Sequence, residues 1–595
     1  MTQSSLPALL LERATQQPDA AAYTFIDYEI DPAGFAESLT WAQLYQGALA
    51  VAEELRLCGE VGDRAAILAP EGLGYIMAFL GVLHAGFIAV PLPVPQFRVH
   101  DERVSAALRD CSPSVILTTS AVVDEVFKYA CAENGCADTS VIEVDSLDLY
   151  SARVFDAVVQ PHPCAAYLQY TSGSTRTPAG VIVSHRNVIA NLEQAKAIYL
   201  ADFGDTAPPE LSWVSWLPFH HDMGLFFTVF ITLYIGAPMS FITPVAFLQR
   251  PARWIQLLGK ADFSYSCAPN FAFDLVTRLT SDHDMDGIDL GGVRAIVNGS
   301  ERVQPTTITR FNERFARFNL KETAILPSYG LAEATLCVAA PKVGQPVRTV
   351  RFASEQLADG FAKASTNGDA GAIDLVSYGP ERVAAGMCAV RIVDPDTLRE
   401  NPPETIGEIW VHGDNVATGY WQKSVESQQT FGARIVGPSP GTPNGFWLRT
   451  GDLGAMFDGE LFIMGRLKDV LIVDGRNHYP DDIETTIREI TGGRVAAISV
   501  PDDRTERLVA IAELTTEHTQ SREEQTPKLR AIKREIIAAI STSHGLRVAD
   551  LVLVPPGSIP FTTSGKVRRS ACVQRYRENE FKRLDISASL LDEAW

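Results

Sequence analysis

The sequence predicts an α/β protein with a large N-terminal domain and a small, mobile α+β C-terminal domain. In the N-terminal domain we expect layered α/β subdomains and a β-rich subdomain. Short apolar runs alternate with amphipathic helical stretches through the first three quarters of the 595 residues, which indicates parallel sheets. A β-rich section begins at Glu408, and past Gly465 the pattern changes to a strand, helix and strand unit. We therefore place the two domains at residues 1–465 and 466–595.

Local sequence predicts the individual elements in chain order. Four apolar runs predict strands, at residues 65–68, 87–92, 115–118 and 295–297. Residues 75–85 predict a helix between the first two of these strands. The polar stretch at residues 347–378 predicts an inserted loop or small excursion. Thr526 and Pro527 predict the start of a helix that ends near Gly545, with cap, first-turn proline and terminal glycine in their usual places.

Composition and charge exclude several classes of function. The net charge of −21 argues against nucleic acid or an anionic membrane as the main partner. The longest apolar stretch, Leu225 to Ala237, is too short and too interrupted for an integral membrane segment. The nine cysteines are scattered and form no zinc set with histidines. Because the first twenty residues lack the basic region of a signal peptide, we expect a cytoplasmic protein.

A hydroxyl-rich loop between Tyr170 and Gly180 is the most informative local feature. Its hydroxyl residues include Thr171, Ser172, Ser174 and Thr175. Gly173 lies among them and has no side chain to hold an anion away, so backbone N–H groups and hydroxyls can converge on a phosphate. Ordinary turns have the same composition. The loop lacks the G-x-x-x-x-G-K-[ST] spacing of a P-loop NTPase.

Two later segments combine chemistry-bearing residues with tight turns. In the first, His220 and His221 precede Asp222 beside an apolar segment, although a histidine pair capping a helix has the same pattern. In the second, Tyr329 offers an aromatic face for a purine. The carboxylate of Glu333, four residues on, can hold a magnesium ion, and a surface helix start would explain this segment equally well.

Three C-terminal segments extend the pattern. Asp452 follows a glycine turn, where a carboxylate can accept both hydroxyls of a ribose. Arg466 and Lys468 follow Gly465. Lys566 lies on a glycine hinge near the end of the chain and has reach and mobility, whereas a charge run of this kind is more often a solvated face.

In this order and spacing, the six segments resemble the adenylate-forming superfamily of acyl-CoA synthetases, luciferases and nonribosomal adenylation domains. Within it they resemble particularly the long-chain fatty acyl-AMP ligases of the mycobacterial type, which feed polyketide synthases. The resemblance covers essentially the whole chain. It implies ATP and Mg²⁺ as ligands and a fatty acid as substrate.

The resemblance also implies a nucleotide site. The implied phosphate-binding residues are Thr171, Ser172, Gly173, Ser174 and Thr175. The implied adenine pocket, in which the Tyr329 ring stacks on the base, contains Gly299, Ser300, Tyr329 and Gly330. Asp452 and Arg466 would hold the ribose. The superfamily loop usually has Gly and Lys where this chain has Arg176 and Ala179, a version that the mycobacterial branch shares.

Three catalytic residues follow from the resemblance in the same way. Lys566 would bridge the fatty acid carboxylate and the α-phosphate, His221 would guard the acyl carboxylate, and Glu333 would bind the metal. Lys468 stands at the hinge position between the two domains.

The implied reaction is ATP-dependent activation of a long-chain fatty acid to acyl-adenylate with release of pyrophosphate. Acyl transfer to the phosphopantetheine thiol of an acyl carrier domain of a polyketide synthase follows. In that branch an insertion after Glu333 restrains the domain swing, and residues 347–378 occupy its place. A docking face for the acidic carrier is predicted from the basic residues Lys528, Arg530, Lys533, Arg534, Arg568 and Arg569. The alternatives are a fatty acyl-CoA synthetase that uses coenzyme A and a non-catalytic adenylate-binding protein.

Overall fold

Six sheets organise the part of the chain that the structure describes. The computed structural model describes residues 5–95, 102–134, 139–149, 164–171, 178–203, 207–365, 371–380, 388–473, 476–502, 505–514, 522–561 and 566–584.

The first large sheet is mostly parallel. Its six strands have the spatial order Ser140–Glu143, Val115–Thr118, Arg64–Ile67, Ile88–Pro91, Tyr167–Tyr170 and Gly180–Val183. Only the last pair is antiparallel among these neighbours. The runs of buried residues in these strands suit a sheet with both faces covered. Thr171 directly follows the strand Tyr167–Tyr170, so the hydroxyl-rich loop starts at the carboxyl end of that strand.

The second large sheet carries most of the candidate site. Its seven strands have the order Ile325–Pro327, Val293–Gly299, Phe263–Pro269, Leu211–Ser215, Met239–Phe241, Ala21–Asp27 and Phe35–Thr40. All neighbours are parallel except the last pair. Parallel strands end at one edge, so the segments that follow four of these strands converge there.

The third sheet is antiparallel and forms the predicted β-rich section. Its six strands have the order Thr349–Ala353, Ala372–Pro380, Glu460–Arg466, Leu448–Phe457, Gly407–Gly413 and Cys388–Val393. The first two strands lie where the sequence predicted a loop at residues 347–378. They form because Phe352 and Leu375 are buried against Phe462 of the same sheet. The insertion is therefore part of the sheet, with the short helix Ser354–Ala358 between its strands.

The last part of the chain has its own hydrophobic core. It contains a hairpin, Leu471–Val473 and Arg476–His478, and a three-stranded sheet, Gly492–Asp502, Thr505–Leu514 and Val548–Val554. Three helices accompany them: Pro480–Thr491, Arg522–His544 and Arg569–Arg577. The buried face of the long helix is the predicted one, Leu529, Ile532, Ile536 and Ile540. The domain boundary at residue 466 stays a prediction.

The predicted start of that long helix is wrong. The helix begins at Arg522 and passes through Pro527 rather than opening at Thr526. The preceding residues, Arg522 to Gln525, have good helix propensity, and a proline near the helix start removes only one backbone hydrogen bond. The C-terminal end at His544, just before Gly545 with φ 64°, agrees with the prediction.

Helices pack on both parallel sheets. Besides Ser354–Ala358, the described α-helices before residue 466 are Leu6–Gln16, Trp41–Cys58, Leu73–His84, Glu102–Cys111, Val123–Asn134, His185–Tyr199, Asp222–Gly224, Ile231–Ile235, Pro244–Gln249, Ala252–Leu258, Asn270–Leu279, Pro305–Phe315 and Ser424–Phe431. A π-helical stretch, Leu225–Phe230, joins two of them. Capping boxes at Thr40 and Ser184 fix the starts of two long helices. Within the described residues, no helix is both long and apolar enough to cross a membrane.

Candidate active site

The carboxyl ends of neighbouring parallel strands bring together the segments that contain Ser300 and Tyr329. The strand Val293–Gly299 leads into Ser300 and lies between Phe263–Pro269 and Ile325–Pro327, which leads into Tyr329. Pro269 pairs with Gly299, and Asn298 pairs with Pro327, so the strands end level with one another. This edge is where open α/β sheets bind ligands.

Two glycines allow the backbone to close up at this edge. A Cβ on Gly299 would lie 2.8 Å from the carbonyl oxygen of Ser328, and one on Gly330 would lie 1.9 Å from that of Leu336. Ser300 has φ 67°, a left-handed conformation that costs a non-glycine residue energy and is frequent at functional sites. The predicted residues Gly299, Ser300 and Gly330 therefore shape the cleft through their backbone.

The histidine turn is held from two sides. The amide Nε2 of Gln169 donates to the carbonyl oxygen of His220 at 2.7 Å. The N–H of Leu225 donates to the carbonyl oxygen of His221 at 2.8 Å and links the turn to the following helical segment. Burial lowers the pKa of His221, and the neighbouring carboxylate of Asp222 opposes that shift. The imidazole of His221 is thus biased toward its neutral form.

Gly224 makes this turn possible. A Cβ at position 224 would lie 2.0 Å from the carbonyl oxygen of Pro218, closer than any real contact. We expect Gly224→Ala to lower the free energy of unfolding by about 1–3 kcal/mol, because the helix must move away from the histidine turn. Thermal unfolding followed by circular dichroism measures the loss. Gly74→Ala is the matched control, since a Cβ there meets nothing within 4 Å. An unchanged midpoint for Gly224→Ala would contradict the tight packing.

Tyr329, Asp452 and Arg466 form one hydrogen-bonded group. The Tyr329 hydroxyl donates to Asp452 Oδ2 at 2.8 Å, and Arg466 Nε lies 3.4 Å from Asp452 Oδ1. Asp452 and Arg466 are cross-strand partners in the antiparallel sheet. Burial raises the pKa of Asp452, and the Arg466 guanidinium opposes that rise. The structure thus brings Tyr329 to Asp452, which lies 123 positions further along the sequence, and to its cross-strand partner Arg466.

Glu408 stabilises the turn that precedes Asp452, and no motif in the sequence predicted this role. Its carboxylate accepts from the backbone N–H of Gly451 at 3.1 Å and from Trp410 Nε1 at 2.9 Å. Arg449 Nη2 lies 2.8 Å from the same carboxylate. The side chain of Glu408 is only 3% exposed. The one available signal was a lone acidic residue in the apolar run of residues 408–411.

Glu333 lies in the 3-10 turn Ala332–Ala334, which leads directly into a strained turn at Thr335. Tyr420 Oη donates to Glu333 Oε1 at 2.9 Å, a contact between residues 87 positions apart that no local pattern predicts. Thr335 has φ 66° and ψ −57°, and the N–H of Leu336 donates to the carbonyl oxygen of Ala334 at 2.8 Å. This is a γ-turn with positive φ, a rare and strained conformation. Burial raises the pKa of Glu333.

Lys566 reaches the site from the C-terminal part of the chain. Its charge interacts with Arg466, at the predicted domain boundary, and with Asp222, Glu301 and Asp452, which lie before that boundary. Burial lowers the pKa of the Lys566 ammonium, Arg466 adds to that shift, and the three carboxylates oppose it.

A buried ion pair seats the C-terminal part against the rest of the chain. Arg302 Nη2 lies 2.6 Å from Asp482 Oδ1, and each side chain is 9% exposed. Arg302 follows the strand that leads into Ser300, and Asp482 lies in the first turn of the helix Pro480–Thr491. Because breaking a buried pair leaves an uncompensated charge, this contact favours the orientation that brings Lys566 to the cleft.

Part of the predicted phosphate loop lies outside the described residues. Ser172, Gly173, Ser174 and Thr175 belong to that undescribed part. Thr171 is described, and its N–H donates to the carbonyl oxygen of Ala179 at 3.5 Å. Lys423 Nζ donates to the carbonyl oxygen of Pro178, which places a cation beside the end of the loop. No local pattern in the sequence predicts Lys423 at this position.

One residue of the predicted carrier-docking face is misassigned. Arg569 is only 17% exposed and contacts Asp469, Asp481 and Glu484. The sequence predicted a solvated face for the run of charges at residues 566–569. Arg569 is instead largely buried, because it forms ion pairs with three carboxylates. Arg569 therefore belongs to an internal ion cluster and is not available for docking.

Comparisons with known proteins agree with this arrangement. The model of the AMP-binding enzymes matches residues 10–421, and the Disco-interacting protein 2-like AMP domain matches residues 468–585. The long-chain-fatty-acid–AMP ligase FadD26 of Mycobacterium marinum is 59% identical over 99% of this chain and 100% of its own. The chain belongs to the fatty acyl-AMP ligases of the AMP-binding enzyme family. The prediction of this family from six sequence segments is confirmed.

Other relatives of this ligase show the range of the group. A 4-hydroxyphenylalkanoate adenylyltransferase of Mycobacterium tuberculosis is 58% identical over 99% of this chain and 94% of its own. A chain from a study of fatty acyl-adenylate ligases from E. coli and L. pneumophila superposes with a TM-score of 0.82 at 28% identity, covering 97% of this chain and 98% of the other.

The fatty acyl-adenylate ligase of L. pneumophila, solved with acyl adenylate and pyrophosphate, has a TM-score of 0.70 at 31% identity and covers 97% of each chain. The predicted α/β class, with a large N-terminal and a small C-terminal domain, is confirmed by these likenesses. The roles of the individual site residues stay predictions.

Proposed function

We propose that this ligase converts a long-chain fatty acid and ATP to acyl-adenylate and pyrophosphate. It then transfers the acyl group to the phosphopantetheine thiol of an acyl carrier domain of a polyketide synthase. The observation that carries the proposal is the group at the cleft in which the Tyr329 hydroxyl lies 2.8 Å from Asp452 Oδ2 and Arg466 Nε lies 3.4 Å from Asp452 Oδ1. Asp452 and Arg466 are also charged neighbours of Lys566. The 59% identity to a long-chain-fatty-acid–AMP ligase supports the same reaction. We propose that it takes place in the cytoplasm.

The chemistry requires neutralisation of charge more than any reactive side chain. A carboxylate oxygen of the fatty acid attacks the α-phosphorus, a new P–O bond forms, and the bond to pyrophosphate breaks. Both reactants are anionic, so positioning and electrostatic stabilisation supply most of the rate. Lys566 would stabilise charge between the two reactants. His221, biased toward its neutral form, would lie beside the acyl carboxylate without carrying a positive charge.

Nucleotide orientation would come from the hydrogen-bonded group around Asp452. We propose that the Asp452 carboxylate accepts the ribose hydroxyls, with Arg466 beside it and the Tyr329 ring against the adenine. Gly299, Ser300 and Gly330 would line the adenine pocket. Thr171 with Ser172, Gly173, Ser174 and Thr175 would hold the β- and γ-phosphates. Lys423, beside Pro178, supports this placement of the phosphates by adding positive charge near the loop.

The residues at the cleft fit a magnesium ion held jointly with the nucleotide. Within the described residues no cluster of three or more His, Cys, Asp or Glu side chains could hold a metal by itself. Mg²⁺ is usually bound through one or two carboxylates together with substrate phosphates, and Glu333 offers one carboxylate. When bound, the ion would neutralise phosphate charge. Tyr420 would keep the Glu333 carboxylate oriented through its 2.9 Å hydrogen bond.

Contacts between the insertion and the C-terminal part support transfer to a carrier domain rather than to coenzyme A. Arg476 Nε lies 3.6 Å from Asp359 Oδ1, next to the insertion helix Ser354–Ala358. Gly371 packs so tightly that a Cβ there would lie 2.6 Å from the carbonyl oxygen of Ser543. Such contacts would restrain rotation of the C-terminal domain into a coenzyme A-using orientation.

Weakening these contacts should increase the use of coenzyme A. Asp359→Ala removes an exposed ion pair worth about 0–1 kcal/mol, so we expect at most about a fivefold rise in acyl-CoA formation. Gly371→Ala should have a larger effect, because its φ of 82° and the close Ser543 carbonyl both disfavour a side chain. Acyl-CoA formed per minute at a fixed enzyme concentration measures both variants. Equal or lower acyl-CoA formation in both would contradict the restraint.

The proposed reaction is tested by identifying products. Purified protein is incubated with ATP, Mg²⁺ and a series of fatty acids, with coenzyme A, with a phosphopantetheinylated carrier domain, or with neither. Mass spectrometry should find acyl-AMP that accumulates without an acceptor, is unchanged by coenzyme A, and is consumed by the carrier. Acyl-CoA as the main product would instead establish the acyl-CoA synthetase alternative. Absence of any adenylate would establish a non-catalytic adenylate-binding protein.

A second acid class belongs in the same experiment. The relative that is 58% identical over almost the whole chain is named a 4-hydroxyphenylalkanoate adenylyltransferase. We propose that the apolar stretch Leu225 to Ala237 lines the acyl-binding site. It is buried from Leu225 to Leu233 and rich in aromatic residues, and nearby Trp216 stacks on Phe247 with ring centroids 3.8 Å apart. Such a lining suits either an alkyl chain or a phenol ring. We expect faster adenylation of long-chain fatty acids, and faster adenylation of 4-hydroxyphenylalkanoates would reverse the substrate assignment.

A further inference from the structure

Arg569 makes the densest set of ionic contacts in the described C-terminal part. Its Nε and Nη2 each lie 2.7 Å from one oxygen of Glu484, a bidentate geometry. Nη2 also lies 2.8 Å from Asp481 Oδ1, and Nη1 lies 3.1 Å from Asp469 Oδ2. Glu484 is 4% exposed and accepts a further bond from the N–H of Ala497 at 3.0 Å.

The three carboxylates come from segments that define the geometry of the domain. Asp469 ends the 3-10 turn that contains Lys468, the predicted hinge residue. Asp481 and Glu484 lie in the helix Pro480–Thr491, whose neighbouring residue Asp482 forms the buried pair with Arg302. Arg569 therefore connects its own segment both to the hinge and to the helix that contacts the large domain.

Lys566 lies three residues before Arg569 in the chain. A bridge between Phe561 and Val567, and a 2.9 Å bond from the Arg568 N–H to the carbonyl oxygen of Pro560, join the ends of this loop. Arg569 is then the first residue of the helix Arg569–Arg577. A cation is unfavourable at a helix N-terminus, because the macrodipole is positive there. Its position thus depends on the surrounding carboxylates and serves to fix the loop.

We propose that Arg569 is a positioning residue for Lys566: by binding Asp469, Asp481 and Glu484 it fixes the lysine loop so that Lys566 reaches the cleft. This inference rests on the proposed adenylation reaction. Arg569 itself need not touch either substrate. Its planar fork matters as much as its charge, because lysine cannot reproduce a bidentate contact.

A double-mutant cycle with Lys566 tests the inference. We expect Arg569→Gln to lower kcat for acyl-AMP formation about 10- to 100-fold, the scale of a misplaced catalytic group, while KM for ATP stays within about threefold. Arg569→Lys should restore little of the loss. In the Lys566→Ala background, the same Arg569→Gln change should cost less than about twofold, because the residue that it positions is gone.

Several outcomes would overturn the inference. Losses that multiply in the double variant would mean that Arg569 acts independently of Lys566, and an unchanged kcat in Arg569→Gln would mean that it has no positioning role. If Arg569→Gln unfolds, Asp469→Asn replaces it in the same cycle, since that change weakens the 3.1 Å contact and leaves the contacts of Arg569 with Glu484 and Asp481 in place. Arg575→Gln, on the same helix and 48% exposed, is the matched control and should leave kcat unchanged. A wild-type protein that forms no acyl-AMP would refute the proposed function itself, not this role alone.

Discussion

Lys566→Ala is expected to lower the rate of acyl-AMP formation by roughly two to four orders of magnitude. In the proposed mechanism Lys566 supplies a cation between the two anionic reactants, and its charge interacts with Arg466, Asp222, Glu301 and Asp452. ATP binding should survive, because Tyr329 and Asp452, the proposed adenine and ribose contacts, are unchanged. Initial rates of acyl-AMP formation and a direct ATP-binding titration separate these two effects.

Lys582→Ala is the control for that experiment. Lys582 follows the helix Arg569–Arg577 and is exposed, so its loss removes a similar charge from the protein surface. It should retain the wild-type rate. If Lys566→Ala kept most of its activity, or if it lost ATP binding to the same extent as catalysis, the assigned role of Lys566 would be refuted.

Asp452→Ala should produce the next largest effect, and of a different kind. The substitution removes the acceptor of the Tyr329 hydroxyl and the partner of Arg466, and leaves both facing the nucleotide site. We expect kcat/KM for ATP to fall roughly 100-fold, mostly through KM, because a site built to bond hydroxyl groups loses its acceptor. Steady-state kinetics at saturating fatty acid measure the two constants separately.

Asp458→Asn is a suitable control for Asp452. Asp458 lies just beyond the end of the same strand, Leu448–Phe457, and its side chain is 72% exposed in a pair with Arg348. Its kinetics should match the wild type. A fall confined to kcat in Asp452→Ala, with KM for ATP unchanged, would mean that Asp452 does not hold the nucleotide.

The sequence predicted those parts of the fold that depend on local pattern. The strand at residues 115–118 and the apolar face of the long helix were correct because burial imposes a regular spacing of apolar residues. The predictions were wrong where contacts between distant parts of the sequence determine the secondary structure. The strands of the insertion form because Phe352 and Leu375 find partners about a hundred residues away, in a sheet that local polarity does not reveal.

The candidate site shows the same division. Tyr329, Asp452, Arg466 and Lys566 could be predicted from the sequence because each lies in a short, recognisable segment. Glu408 and Tyr420 were missed, since their importance comes from single hydrogen bonds to Gly451 and Glu333 across long sequence separations. Arg569 was assigned to the surface for the same reason: a run of basic residues does not reveal three carboxylates folded around one of them.

The most direct test of the proposed reaction compares the amounts of pyrophosphate and acyl-AMP that are formed in a single turnover. Enzyme in excess over ATP is mixed with a long-chain fatty acid and Mg²⁺, with no thiol acceptor present, and both products are quantified. The account predicts equal amounts of pyrophosphate and acyl-AMP, formed at a rate that coenzyme A does not change. Pyrophosphate release that requires coenzyme A, or that occurs without acyl-AMP, would contradict it.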